Sequence, residues 1–85
     1  MKSNCFSLNK LPVGSEGEVI SLASVGNERR RMLDLGLVKG TTVEALQKSP
    51  SGDPIAYLIR GAVIALRDED AEKIIIQQAT PHFSF

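Results

Sequence analysis

Hydrophobic positions along this chain follow two periods, and the switch between them sets the order of elements. In Glu18–Ala23, Ile20 and Leu22 fall on one face of an extended segment while Val19 partly covers the other. Gly26 and Asn27 break that run. In the following GNERRRMLDLGL, Met32 and Leu35 are three apart and Leu33 and Leu37 four apart, which is the spacing of a short amphipathic helix over Arg29–Leu35. Asn27 is placed to cap its start, and Gly36 to stop it as a left-handed residue.

Strand spacing then returns. Thr41–Gln47 offers Val43, Ala45 and Leu46, and the turn-rich KSPSGDP at Lys48–Pro54 predicts a hairpin-like loop. Ile55, Tyr57 and Ile59 alternate with Ala56, Leu58 and Arg60, and after a turn or bulge at Arg60-Gly61 the alternation resumes at Ala62, Ile64 and Leu66. The charged RDEDAEK at Arg67–Lys73 is too short for an independent helix and predicts one helical turn, followed by a closing strand at Ile74–Gln77. Near the start, Leu8 and Leu11 form a short apolar pair closed by Pro12, with Gly14 and Gly17 before the first strand.

About five short strands must hide an apolar face and their edges, so the expectation is a mainly β fold: a small SH3-like barrel with one inserted α-helix and a short C-terminal helical turn. A five-stranded oligonucleotide-binding barrel is the alternative. A parallel sheet fits less well, because only one segment resembles a crossover helix. No repeat or linker divides the 85 residues, so 1–85 reads as a single domain.

Composition narrows the chemistry. Ten basic residues balance ten acidic ones, for a net charge of zero, which removes the long-range field by which basic domains gather nucleic acid. With no Trp, one Tyr and three Phe, the core falls to Leu, Ile, Val and Ala. The single Cys5 excludes an internal disulfide and a multi-thiolate metal site, and no apolar run approaches the roughly 18 residues of a membrane-spanning helix. The opening residues lack the apolar core of a signal peptide, so the chain reads as cytoplasmic.

Catalytic signals are absent from the pattern. His82 is the sole histidine and sits near the chain end, a poor mount for a triad. Phosphate-binding loops, HExxH, CxxC and EF-hand loops do not occur. The carboxylates Asp68, Glu69, Asp70 and Glu72 read first as a solvated turn, and Met32 as helix packing. Arg29, Arg30 and Arg31 are the conspicuous charge feature. Spread over about 200° of a helix, they cannot form one stripe, and they are available to a partner or to the chain's own acidic turn.

The ordered fragments LNKLPVGSEGEV (Leu8–Val19), RRMLDLGLVKGTTV (Arg30–Val43), GDP (Gly52–Pro54) and RGAVIALRDEDAEKIII (Arg60–Ile76) resemble the FeoA family, the small cytoplasmic component of bacterial ferrous-iron uptake. The resemblance covers 8–76 and leaves 77–85 as a tail. The family's LPxG falls on Leu11-Pro12-Val13-Gly14, its helix motif on Arg31, Met32, Leu35, Gly36 and Leu37, and its GDP turn on Gly52-Asp53-Pro54, with Gly61, Leu66 and Arg67 following. Lys39 replaces a common proline before Gly40, and Asp70 a common glutamate.

The resemblance implies an SH3-like barrel and a non-enzymatic accessory or regulatory role toward FeoB, the membrane transporter with a cytoplasmic GTP-binding domain. It also brings in transition metal binding, although no resident cofactor is expected and direct iron binding stays open. Partner-contact candidates are Arg29, Arg30, Arg31, Met32, Leu35 and Leu37. Pro12, Gly14, Gly36, Gly40, Gly52, Asp53, Pro54 and Gly61 are assigned to structural turns. FeoA-like domains also resemble the C-terminal domains of metal-dependent repressors, but such proteins place a helix-turn-helix before the barrel and only Met1–Ser7 precede the similarity here, so direct nucleic-acid binding is not expected. A general peptide-binding module would need an aromatic groove, for which Tyr57 alone is little. Homo-oligomerisation through an exposed sheet edge remains open.

Overall fold

The computed structural model describes residues 5–78. Strands β1 (Cys5–Ser7), β2 (Glu16–Leu22), β3 (Thr42–Lys48), β4 (Ile55–Ile59), β5 (Ala62–Leu66) and β6 (Ile74–Gln78) form one antiparallel sheet in the order β1-β6-β2-β3-β4-β5. A 3-10 turn at Leu8–Lys10 follows β1, helix α1 (Gly26–Asp34) joins β2 to β3, and the single-turn α2 (Asp68–Ala71) joins β5 to β6. The mainly β, SH3-like expectation with one inserted helix and a late helical turn therefore holds.

Several details differ from the sequence pattern, each for a local reason. There are six strands, because the three-residue β1 is too short to show alternation; it pairs Phe6 with Ile76. β6 runs to Gln78, two residues into the segment assigned to the tail. His82, Phe83 and Phe85 lie outside the described residues. In β2 it is Val19 that is wholly buried, while Ile20 and Leu22 are only partly covered, since a bulge between Val19 and Ser21 rotates the strand. Gly17 lies inside β2, not in a turn, and a Cβ there would stand 2.7 Å from Ile76 Cδ1, so the β2–β6 approach requires glycine.

The sheet curls without closing. No ladder joins β1 to β5 among the described residues; side chains bridge the gap. The Tyr57 hydroxyl on β4 donates to the Leu8 carbonyl at 3.4 Å, and Asn9 Nδ2 donates to Asp68 Oδ1 at 3.1 Å. Leu8, Leu11, Val19, Met32, Leu37, Val43, Tyr57, Leu66, Ile74 and Ile76 consequently belong to one buried cluster drawn from both ends of the sheet. Burying the Tyr57 ring raises its hydroxyl pKa, with the Asp68 carboxylate adding to the shift.

Gly14, Gly36, Gly40, Gly52 and Gly61 all have positive φ. Pro12 opens a turn in which Ser15 N–H donates to its carbonyl at 3.0 Å. Arg60 (φ 52°) and Gly61 (φ 83°) together make the two-residue hairpin between β4 and β5, both left-handed as a type I′ turn requires. The Asp53-Pro54 bond is cis.

Candidate partner-docking site

Helix α1 begins two residues earlier than a cap at Asn27 would set it. Val25 is the N-cap, without a side-chain hydrogen bond, and Asn27 lies in the first turn. Its other end follows the sequence closely. Gly36 N–H donates to Leu33 O at 2.9 Å and Leu37 N–H to Met32 O at 3.1 Å, the paired bonds of a Schellman stop with Gly36 at φ 98°. The same motif brings Leu37 back onto Met32 in the core.

That packing corrects two of the partner-contact candidates. Met32 and Leu37 are both 0% exposed, so they anchor the helix and offer nothing to a partner. Leu35 is half-buried against the same cluster. The apolar face read as a docking surface is the face the helix spends on its own barrel, because a nine-residue helix needs that burial to form at all.

The three arginines diverge, as roughly 100° per residue requires. Arg29 Nη1 reaches back to the Leu22 carbonyl at 3.3 Å. Arg31 Nη2 turns the other way to Asp70 Oδ2, also at 3.3 Å, tying α1 to α2; the Asp70 side chain is 9% exposed and that of Arg31 62%. Arg30 points outward between them and is exposed. A second tie, Lys73 Nζ to Glu28 Oε1 at 3.0 Å, joins α1 to the start of β6, and this hydrogen bond and charge raise the lysine pKa.

Between α1 and β2 runs a groove of about 260 Å³, lined by Val19, Ile20, Leu22, Leu33 and Leu37 and rimmed by Arg29 and Lys39. Of its lining residues Leu33 is 38% exposed, and Val38, next in sequence to Leu37, is 39% exposed. Leu33 and Lys39 were not among the partner-contact candidates read from sequence. The available signal was angular, since Leu33 lies about 100° around the helix from the buried Met32. On the opposite flank of α1, a larger cleft of about 490 Å³ lies between Glu28, Arg31 and Leu35 and the strand end Ile64–Leu66.

Among the described residues no group of three or more His, Cys, Asp or Glu side chains could hold a metal ion, and no helix is long and apolar enough to cross a membrane. Asp53 and Asp68 are engaged internally: Asp53 Oδ1 accepts from the Asp68 backbone N–H at 2.9 Å. What this flank of the surface offers is a largely aliphatic groove with Arg29 and Lys39 at its rim.

A small SH3-like barrel with a helix laid along one flank is the class this architecture defines. The chain belongs to the FeoA domain family, whose domain matches residues 6–78. An Fe(2+) transport protein A/Fe(2+) transporter FeoB fusion protein of Porphyromonas gingivalis is 34% identical over 70 residues, covering 82% of this chain; the chain spans only 8% of that protein's length. A FeoA-like protein from Clostridium acetobutylicum superposes with a TM-score of 0.85 at 32% identity, covering 100% of this chain and 98% of that one. A FeoA from Stenotrophomonas maltophilia, solved with zinc and described as a prokaryotic SH3 domain protein, gives a TM-score of 0.76 at 28% identity over 84% of this chain and 88% of that one. A manganese-dependent transcriptional repressor shares the fold alone, at 16% identity and a TM-score of 0.80 over 93% of this chain and 44% of that one.

Proposed function

We propose that this chain is a non-enzymatic accessory of FeoB-dependent ferrous-iron uptake, acting at the cytoplasmic side by docking its α1–β2 groove on the transporter's cytoplasmic region. The observation that carries the reading is the relative in which FeoA and FeoB are one polypeptide, an arrangement that holds the two at high effective concentration. The groove supplies the means. Its apolar floor fits one or two aliphatic or aromatic side chains, and Arg29 and Lys39 at its rim favour an acidic rim on the partner.

Docking alone does not alter transport. The chain must contact two FeoB states unequally, and the difference in contact energy sets how far their populations shift. A helix stopped rigidly at Gly36 and tied at Arg31 and Glu28 presents Leu33 in one position, so only the FeoB state with a matching surface gains the full contact.

The test is binding of the chain to the isolated cytoplasmic region of FeoB by titration calorimetry, alongside ferrous-iron uptake in cells. Leu33→Asp and Lys39→Glu are expected to retain the wild-type circular dichroism spectrum while weakening binding about tenfold or more and reducing uptake. Wild-type binding and uptake in both folded variants would refute the groove as the docking site.

A further inference from the structure

Helix α1 stands as a rib between two hollows. Glu28, Arg31 and Leu35 line the 490 Å³ cleft on one side, and Arg29 and Leu33 line the 260 Å³ groove on the other. At about 100° per residue, Arg31 and Leu33 fall on either side of Met32, the buried residue of the helix. One buried residue in nine acts as a pivot. It fixes which face points inward and leaves the roll about the helix axis to the ties on the two flanks.

Those ties are unequal. Lys73 to Glu28 joins two side chains open to solvent, and Arg29 meets a neutral acceptor, the Leu22 carbonyl, in an exposed position, so each contributes little. The tie from Arg31 to Asp70 differs at its acidic end. With its side chain 9% exposed, Asp70 has its carboxylate largely removed from water, and among the described residues Arg31 is the side chain that meets it; solvent cannot replace that partner without uncovering the charge. The mount of Asp70 is also fixed. Helix α2 is fastened to the barrel by the Asp68 N–H on Asp53 Oδ1, by Asn9 Nδ2 on Asp68 Oδ1, and by the buried Ala71.

We propose that Asp70 is a positioning residue for the docking groove on the far side of α1: acting through Arg31, it sets the roll of the helix about Met32 and so the seat of Leu33 over β2. This rests on the groove being the FeoB-docking site. A roll of about 20° moves a side-chain tip about 5–6 Å from the helix axis by about 2 Å, enough to carry Leu33 out of van der Waals contact with what lies beside it. Asp70 itself is too buried to touch a partner, so its influence on binding passes through Leu33.

Methyl NMR of the free full chain, followed by calorimetric titration with the FeoB cytoplasmic region, tests this. Asp70→Ala is expected to keep the wild-type circular dichroism spectrum, to reduce the Overhauser contacts of the Leu33 methyls with Ile20 and Leu22 at least twofold, and to weaken binding about three- to tenfold. Asp70→Asn, which keeps an acceptor for Arg31, should lose less. In a Leu33→Ala background the effect of Asp70→Ala on binding should shrink to less than twofold, because the residue it positions is gone. Arg31→Met releases the same tie from an exposed site and carries the test if Asp70→Ala does not fold. Unchanged Leu33 contacts in the folded variants would overturn the proposal. So would binding losses that multiply in the double variant, which would place the partner on the α2 flank itself, or an equal shift of Leu33 in Lys73→Ala. A wild-type chain that binds no FeoB would defeat the docking reading alone, and the Leu33 contacts in the free chain would still decide the roll.

Discussion

The side chain of Arg60 lies across the face of Gly36: a Cβ placed on Gly36 would stand 2.5 Å from Arg60 Cδ. This contact joins the C-terminal stop of α1 to the β4–β5 hairpin turn, two segments 24 residues apart (60 − 36). Both residues have positive φ, 98° for Gly36 and 52° for Arg60. One left-handed residue ends the helix, and another aims the arginine over it.

Gly36→Ala is therefore strained twice, by its left-handed backbone and by displacement of Arg60. Its expected cost is about 1–3 kcal/mol, read as a lowered urea midpoint with an unchanged slope. Gly52→Ala serves as the control: it has φ 89° but nothing within 4 Å, so it should cost only the backbone part, about 1–2 kcal/mol. Equal losses in the two variants would show that Arg60 moves aside freely.

Asp53 acts at a distance in sequence as the cap that α2 lacks locally. Arg67 occupies the N-cap position without a side-chain bond, and the Asp53 carboxylate accepts the N–H of Asp68 instead. Asp53→Ala should destabilise the fold by about 1 kcal/mol, while Asp53→Asn, which retains an acceptor oxygen, should lose less. Chemical denaturation of the three proteins at neutral pH decides it.

The Tyr57 hydroxyl gives stability a pH dependence at the alkaline end. Burial, and secondarily the Asp68 carboxylate, raise its pKa above the value of about 10 expected in the unfolded chain. Below pH 10 both states keep the proton. Above it the unfolded chain ionises while the folded one does not, so stability falls by up to about 1.4 kcal/mol per pH unit until the folded group itself titrates. Between about pH 10 and 11.5 the wild type should lose stability faster than Tyr57→Phe by that slope. Parallel curves would place the hydroxyl in contact with water.

Strand β4 was legible because it alternates cleanly; Ile55, Tyr57 and Ile59 are buried with Ala56 and Leu58 between them, as their period of two requires. The α1 stop was legible from Gly36, and the divergence of the three arginines from helical pitch; which of them meets the acidic turn was open in the sequence, and the structure assigns Arg31 to it. What escaped was set by tertiary contact. The bulge after Val19 depends on β6, a strand more than fifty residues away, and β1 has too few residues to carry a period. The docking surface was misread at Met32 and Leu37 for a related reason. An apolar helix stripe marks the face that folding buries first, so the residues left for a partner are those at its margin, such as Leu33, which the stripe's centre hides.

This distinction separates two substitutions that look alike in sequence. Met32→Asp puts a carboxylate into a site of 0% exposure, and the cost of several kcal/mol is comparable to the whole stability of a domain this small. It should give an unfolded or sharply destabilised chain, and its loss of FeoB binding would carry no information about docking. Leu33→Asp changes a residue already 38% exposed, with an expected stability change within about 1 kcal/mol. If the α1–β2 groove is the docking site, the folded Leu33→Asp protein loses binding while a charge-removing change on the other flank, Lys73→Ala, keeps it. Lys73 pairs with Glu28 in solvent, so its removal should leave both the fold and the groove intact. Binding lost equally in Leu33→Asp and Lys73→Ala would move the contact to the flank of α1 that faces α2.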